Sequence, residues 1–116
     1  MLISVIFSFR NEEENLEELI KRVTDSLSKI EKVNYELIFV NDNSNDNSLN
    51  LLKEKKEKYP IRIINMSRRF GGGPCVLAGF EYAKGDAVIY MDSDLQDPPE
   101  ILPSLIQKFK EGKDVV

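Results

Sequence analysis

The hydrophobic positions of the chain fall into two alternating rhythms. Leu2 to Phe9 is a compact run of Ile, Val and Phe, which predicts a first strand. Leu16, Leu19, Ile20, Val23, Leu27 and Ile30 then recur at helical spacing, so residues 12–31 are expected to form an amphipathic helix. Asn11, followed three residues later by Glu14, has the form of a capping box at its start. Tyr35 to Val40 predicts a second strand, and Leu49 to Lys58 a lysine-rich second helix closed by Pro60. Ile61 to Met66 predicts a third strand. Pro74 suits the first position of a third helix that Gly85 would close. Ala87 to Met91 is a fourth apolar run. A last helix is expected over 99–111, with Pro103 breaking or restarting its first turn, and 114–116 has the composition of a fifth strand.

Strands and helices that alternate through short connections predict a parallel sheet with helices on both faces. In such sheets ligands bind beyond the carboxyl ends of the strands. The segments that follow the four strands are 8–12, 41–46, 67–73 and 92–97, and each is an unusual polar cluster. The topology therefore gathers all four on one edge.

The last of these clusters carries the most specific chemistry. Asp92 and Asp94 are two residues apart, so on an extended chain they project to the same side, about 6–7 Å apart. Two carboxylates held that close repel unless a cation lies between them. The chain has no His and one Cys, so any such cation would be held by oxygen, which favours Mg²⁺, Mn²⁺ or Ca²⁺ over zinc or copper. Mg²⁺ and Mn²⁺ complete their shells with water and substrate phosphates, which points to a metal–diphosphate site. The plainer alternative is that these residues form a turn and that Asp97-Pro98-Pro99-Glu100 starts a helix.

Composition narrows the classes. At 116 residues and 41% hydrophobic, the chain is one domain or part of one and can bury a core. Its net charge of −4, with both signs dispersed, argues against nucleic acid as the main partner. One cysteine, Cys75, allows no internal disulfide and reads as a small apolar helix residue compatible with a reducing compartment. The first apolar segment is too short and too soon followed by charge to be a signal peptide, and no run is long enough to span a bilayer. A cytoplasmic setting is expected.

Other candidates each have a plain structural alternative. Asp42 ends a strand where a carboxylate can accept from a base N–H or ribose hydroxyls, or form an Asx turn; Asn41, Asn43 and Asn45 read as turn formers. Glu12 can serve the helix dipole. Arg68 and Arg69, beside Gly71-Gly72-Gly73, can approach a diphosphate, but the segment has neither the lysine nor the spacing of a P-loop. Phe70 reads as a core anchor. The glycines also lack the G-x-G-x-x-G pattern of a dinucleotide-binding dehydrogenase.

Taken together, the chain resembles the family 2 glycosyltransferases of GT-A fold, most closely the polyprenyl-phosphate (dolichol-phosphate-type) sugar transferases. Residues 4–13 resemble an opening strand that usually reads V-I-P-x-Y-N-E, 39–46 the V-D-D-G-S-x-D element, 67–71 S-R-N-F-G, and 91–100 D-A-D-L-Q-D-P-P-E. Ser8 stands in place of the usual Pro, Arg10 of Tyr and Asn41 of the first Asp. The resemblance implies a UDP- or GDP-sugar donor bound with Mg²⁺ or Mn²⁺. Asp94 and Gln96 would then be metal ligands, with Asp92 beside them toward ribose and diphosphate, and Asp92 and Asp94 would serve catalysis. Ser8, Arg10, Glu12 and Asp42 would line the nucleotide pocket, Asp42 at the base, with Arg68 and Gly71 on a loop near the donor. Transfer would invert the anomeric carbon, with a polyprenyl phosphate or cell-envelope glycan as acceptor, at the cytoplasmic face of a membrane. The family's catalytic domain continues beyond this length. The chain is therefore expected to be its N-terminal, donor-binding half, over 1–116, and to be inactive or nearly so alone. The alternative is a non-catalytic protein that binds nucleotide or self-associates through an incomplete sheet edge.

Overall fold

The computed structural model describes residues 1–30, 32–93 and 98–110. The elements run β1 (Leu2–Phe9), α1 (Glu13–Ser28), β2 (Asn34–Asn41), α2 (Ser48–Lys55), β3 (Ile61–Asn65), α3 (Gly72–Tyr82), β4 (Ala87–Asp92), a 3₁₀ turn (Pro99–Ile101) and α4 (Leu102–Lys110). The strands form one parallel sheet in the order β3-β2-β1-β4. The expected α/β parallel architecture is what the chain adopts.

Crossovers between parallel strands are right-handed, and this decides where each helix lies. The path β1 to β2 to β3 moves one way across the sheet, so α1 and α2 share a face. From β3 the chain crosses back to β4 on the far side of β1, so α3 must lie on the opposite face. The cores agree. Ile3, Val5, Phe7 and Phe9 of β1 join Leu37 and Phe39 of β2, Leu16, Leu19, Ile20, Val23 and Leu27 of α1, Leu52 of α2, and Leu102 and Ile106 of α4. The alternate residues Ile6, Ile38 and Val40 pack on Cys75 of α3. Phe7 and Phe39, paired in register, stack with ring centroids 4.8 Å apart. Burial on both faces explains why β2 reads as an unbroken apolar run.

Opposite the polar edge, Glu36 of β2 is buried and gathers three partners. Its Oε2 accepts from the Ser4 hydroxyl (2.6 Å) and the Lys84 N–H (2.8 Å), and its Oε1 from Arg62 Nη1 (3.3 Å). The Ser4 hydroxyl oxygen in turn accepts the Gly85 N–H at 2.8 Å. Burial alone would push the Glu36 carboxyl up; the donors Ser4, Lys84 and Arg62 outweigh it and hold it below its ordinary value.

Several local expectations are corrected. No capping box forms: Asn11 adopts φ 57°, and its side chain serves another loop. α1 ends at Ser28 and α2 at Lys55, each three residues short of expectation, and β3 ends one residue early. α3 starts at Gly72, so Pro74 is its third residue and not its first. Gly85 does not close that helix, which ends at Tyr82. It is small because a Cβ there would lie 2.6 Å from the Ser4 nitrogen and 2.7 Å from the Ala87 oxygen. Pro103 behaves as expected, since a 3₁₀ turn precedes α4 and the proline sits in the first turn of the new helix. The fifth strand expected at 114–116 lies outside the described residues.

Candidate functional site

Strand order turns back between β1 and β4, and the crevice beyond such a point is where parallel α/β sheets take their ligands. A cleft of about 180 Å³ opens there, lined by Ser8, Phe9, Arg10, Glu12, Asp42, Cys75 and Ser93.

Identifiable bonds position the lining residues that the strand ends supply. Ser8 pairs in register with Asp92, which sets the end of β4 beside the end of β1. The Ser8 hydroxyl lies 3.1 Å from the Tyr90 hydroxyl, and the Ser8 carbonyl accepts from the buried Ser93 hydroxyl at 3.0 Å. Asp42 continues the sheet by donating its N–H to the Phe9 carbonyl at 2.9 Å. Its carboxylate reaches the loop before α3: Oδ1 accepts the Phe70 N–H at 2.7 Å and Oδ2 the Gly71 N–H at 3.0 Å. Gly71 sits at φ 91°, a left-handed conformation that favours glycine. Thus Asp42 supplies from a distant loop the cap that α3 lacks locally.

The same contacts fix the local charge. Burial alone would raise the Asp42 carboxyl, but the Phe70 and Gly71 N–H groups, the Cys75 thiol and the charge of Arg69 outweigh it and lower it. Cys75 is pushed up to about 11 by burial and then by the neighbouring Asp42 charge, so it is a neutral thiol that donates to Asp42.

Arg10 and Glu12 are held by the loop that follows β2. The Asn11 N–H donates to the Ser44 hydroxyl (3.0 Å), the Glu12 N–H to the Ser48 hydroxyl (3.0 Å) and the Glu13 N–H to Asp46 Oδ2 (3.3 Å). Asp46 Oδ1 also accepts the Ser48 N–H at 3.0 Å, so one carboxylate caps both α1 and α2. Burial would raise the Asp46 carboxyl; the Ser48 hydroxyl and the Ser48 and Glu13 N–H groups lower it on balance. In return Asn11 Oδ1 accepts from the Asn45 and Asp46 N–H groups, at 2.8 and 3.2 Å. Asn41 is the turn former expected, its Oδ1 accepting the Ser44 N–H at 2.9 Å.

The structure therefore brings Ser8, Arg10, Glu12 and Asp42 into one cleft, with Gly71 bonded to Asp42 and the Asp92 backbone beside Ser8. Arg68 is not in the lining. It is exposed and stacks on Phe70, with Cζ 4.4 Å from the ring centroid. Phe70 is accordingly a half-exposed platform and not a core anchor. Asp94 and Gln96 lie outside the described residues. Sequence reasoning missed Cys75 and Ser93 in the lining and Tyr90 beside Ser8; for Tyr90, the two-residue spacing from Asp92 was an available signal.

Among the described residues no helix is long and apolar enough to cross a membrane.

The profile of glycosyl transferase family 2 matches residues 4–116. The dolichol-phosphate mannosyltransferase of Pyrococcus furiosus is 41% identical over 115 residues, covering 99% of this chain and 32% of that protein. The structure of S. aureus TarS 1–349 in complex with UDP-GlcNAc superposes with a TM-score of 0.76 at 26% identity, over 96% of this chain and 32% of that one. The mannosyltransferase PcManGT from Pyrobaculum calidifontis, in complex with GDP-Man and Mn²⁺, shares the fold with a TM-score of 0.71 at 19% identity, over 83% of this chain and 32% of that one. The chain spans about a third of the length of the curated relatives it matches.

Proposed function

Because the chain belongs to glycosyl transferase family 2, we propose that it carries the donor-binding part of an inverting glycosyltransferase. The donor is a UDP- or GDP-sugar held with Mg²⁺ or Mn²⁺, and the acceptor a polyprenyl phosphate or a cell-envelope glycan. The observation that carries this reading is the convergence of Ser8, Arg10, Glu12 and Asp42 in one cleft at the carboxyl ends of β1 and β2. The acceptor class is supported by the likeness to a dolichol-phosphate mannosyltransferase.

In this reading Arg10 and Glu12 orient the nucleoside from the start of α1. Asp42 works mainly through the loop it caps, since each of its oxygens already accepts a backbone N–H. A carboxylate oxygen accepts more than one bond, so Asp42 retains capacity toward the base or ribose. Asp92, Asp94 and Gln96 would hold the metal, which when bound supplies neutralisation of the departing diphosphate. A polyprenyl-phosphate acceptor is already anionic and needs no strong base to attack the anomeric carbon.

Calorimetric titration with UDP and GDP, each with and without Mn²⁺, tests the reading. Metal-dependent binding that disappears in Asp94→Ala is the expected result. Nucleotide binding that ignores both Mn²⁺ and Asp94→Ala would remove the metal–diphosphate site from the account.

A further inference from the structure

A guanidinium in a small cleft beside two carboxylates normally pairs with one of them, yet Arg10 does not. Its Nε is buried without a hydrogen-bond partner, and Arg10 forms no ion pair among the described residues. A buried donor left unmade carries its full desolvation penalty, which an acceptor brought by a ligand would relieve. The carboxylates differ in what they leave open. Asp42 takes a backbone N–H on each oxygen. Glu12 accepts the Asn15 side-chain amide on Oε2 at 2.9 Å, and no bond to its Oε1 is formed among the described residues. The cleft thus offers an uncommitted planar donor fork two residues from an uncommitted acceptor. At about 180 Å³ it is smaller than the roughly 300–1,000 Å³ of pockets that enclose a whole drug-sized ligand, and it suits one part of a nucleotide.

We infer that Arg10 selects the base of the donor nucleotide and that the base is guanine. This rests on the donor-site reading above and adds its specificity. Guanine presents two adjacent acceptors, O6 and N7, which match the guanidinium fork bidentately. Its neighbouring edge carries the N1–H and N2–H donors, and Glu12 stands in the same cleft to accept them. Uracil alternates acceptor, donor and acceptor, so the fork meets one oxygen only. Adenine sets its N6 amino group beside N7, donor against donor. A guanidinium that instead grips the diphosphate would serve every nucleotide equally, and this is the main rival.

The test is the affinity of GDP, UDP and ADP in the presence of Mn²⁺, measured for the protein and for Arg10→Gln and Arg10→Lys. The parent protein is expected to prefer GDP over UDP by about tenfold or more, the usual discrimination of one bidentate base contact. That ratio should fall toward one in both variants, because lysine keeps the charge and loses the fork. Circular dichroism establishes that each variant is folded, and the parent ratio stands as a test without either. A parent that prefers UDP or ADP, or binds all three alike, overturns the inference. So does uniform weakening of all three nucleotides in Arg10→Gln with the ratio unchanged, which assigns Arg10 to the diphosphate. A folded parent that binds none of them overturns the donor-site reading itself, and this inference with it.

Discussion

Asp42→Asn isolates the bond between the second loop and the start of α3. Asp42 is 7% exposed as a residue, and its carboxylate accepts the Phe70 and Gly71 N–H groups, one on each oxygen. The amide keeps a single carbonyl acceptor and turns an NH₂ group toward the other N–H. Two charge-assisted bonds, each worth about 1.5–3 kcal/mol, are thereby exchanged for one neutral bond of about 0.5–1.5 kcal/mol. Water in the open cleft can rehydrate the abandoned N–H, so the net loss falls at about 2–3 kcal/mol. At roughly 4 °C per kcal/mol for a chain of this size, the midpoint of thermal unfolding should drop by about 8–12 °C at pH 7. The effect depends on pH with a definite sign. The folded carboxyl is lowered, so its contribution is fully present above the ordinary aspartate value of about 3.9 and is lost as pH falls through the folded value. The gap between parent and variant should therefore be widest at neutral pH and close below about pH 4. Thermal melts from pH 7 down to pH 3 measure it, with amide exchange at Phe70 and Gly71 as the local readout. A drop under about 2 °C at neutral pH would refute the reasoning. So would unchanged exchange at those two amides, or a gap that widens on acidification.

Gly71→Ala forces a Cβ into φ 91° and should cost about 1–2 kcal/mol. Gly73→Ala, inside α3 with open space around the added carbon, should instead gain about 0.5–1 kcal/mol; equal effects in thermal melts would contradict the φ argument. Glu36→Gln weakens the junction of Ser4, Arg62 and Lys84 and should cost about 2 kcal/mol at pH 7. Because the Glu36 carboxyl is lowered, its contribution is present above about pH 4.3 and lost as pH falls through the folded value. The variant's acid limb should thus be shallower than the parent's in a stability–pH profile, and a steeper one would count against the junction.

The order and type of the elements were legible because each is a local pattern. The compact apolar runs of β1 and β2 and the helical stripe of α1 are visible in windows of a few residues. What escaped was satisfied from far away in the chain. The capping box at Asn11 and Glu14 is a sound local pattern, but Ser44 reaches the Asn11 N–H from another loop, Ser48 and Asp46 those of Glu12 and Glu13, and the Asn11 side chain is left to close that loop in return. The start of α3 was misplaced for the same reason: Pro74 is a good first residue, yet Asp42 lets the helix begin at Gly72. Ser8, Arg10, Glu12 and Asp42 could be grouped because topology alone sends the ends of parallel strands to one edge. Cys75 could not, because it arrives on α3 from the other face, and no spacing in the sequence announces that.

These long-range caps bear on how the cleft works. Most of the polar side chains after β2 that suggested a ligand are consumed by backbone. Asn41 holds Ser44; Ser44, Asp46 and Ser48 hold the start of α1; Asp42 holds the start of α3. Few of their bonds are left for a ligand. In exchange they fix the residues on either side of Asn11, which are Arg10 and Glu12, and each of these keeps capacity in hand. Organising the site before the ligand arrives lowers the ordering cost of binding, and it does so only for groups whose backbone is already held. The asparagine-rich loop therefore acts as scaffold, and recognition passes to the two charged residues it fixes at the start of α1.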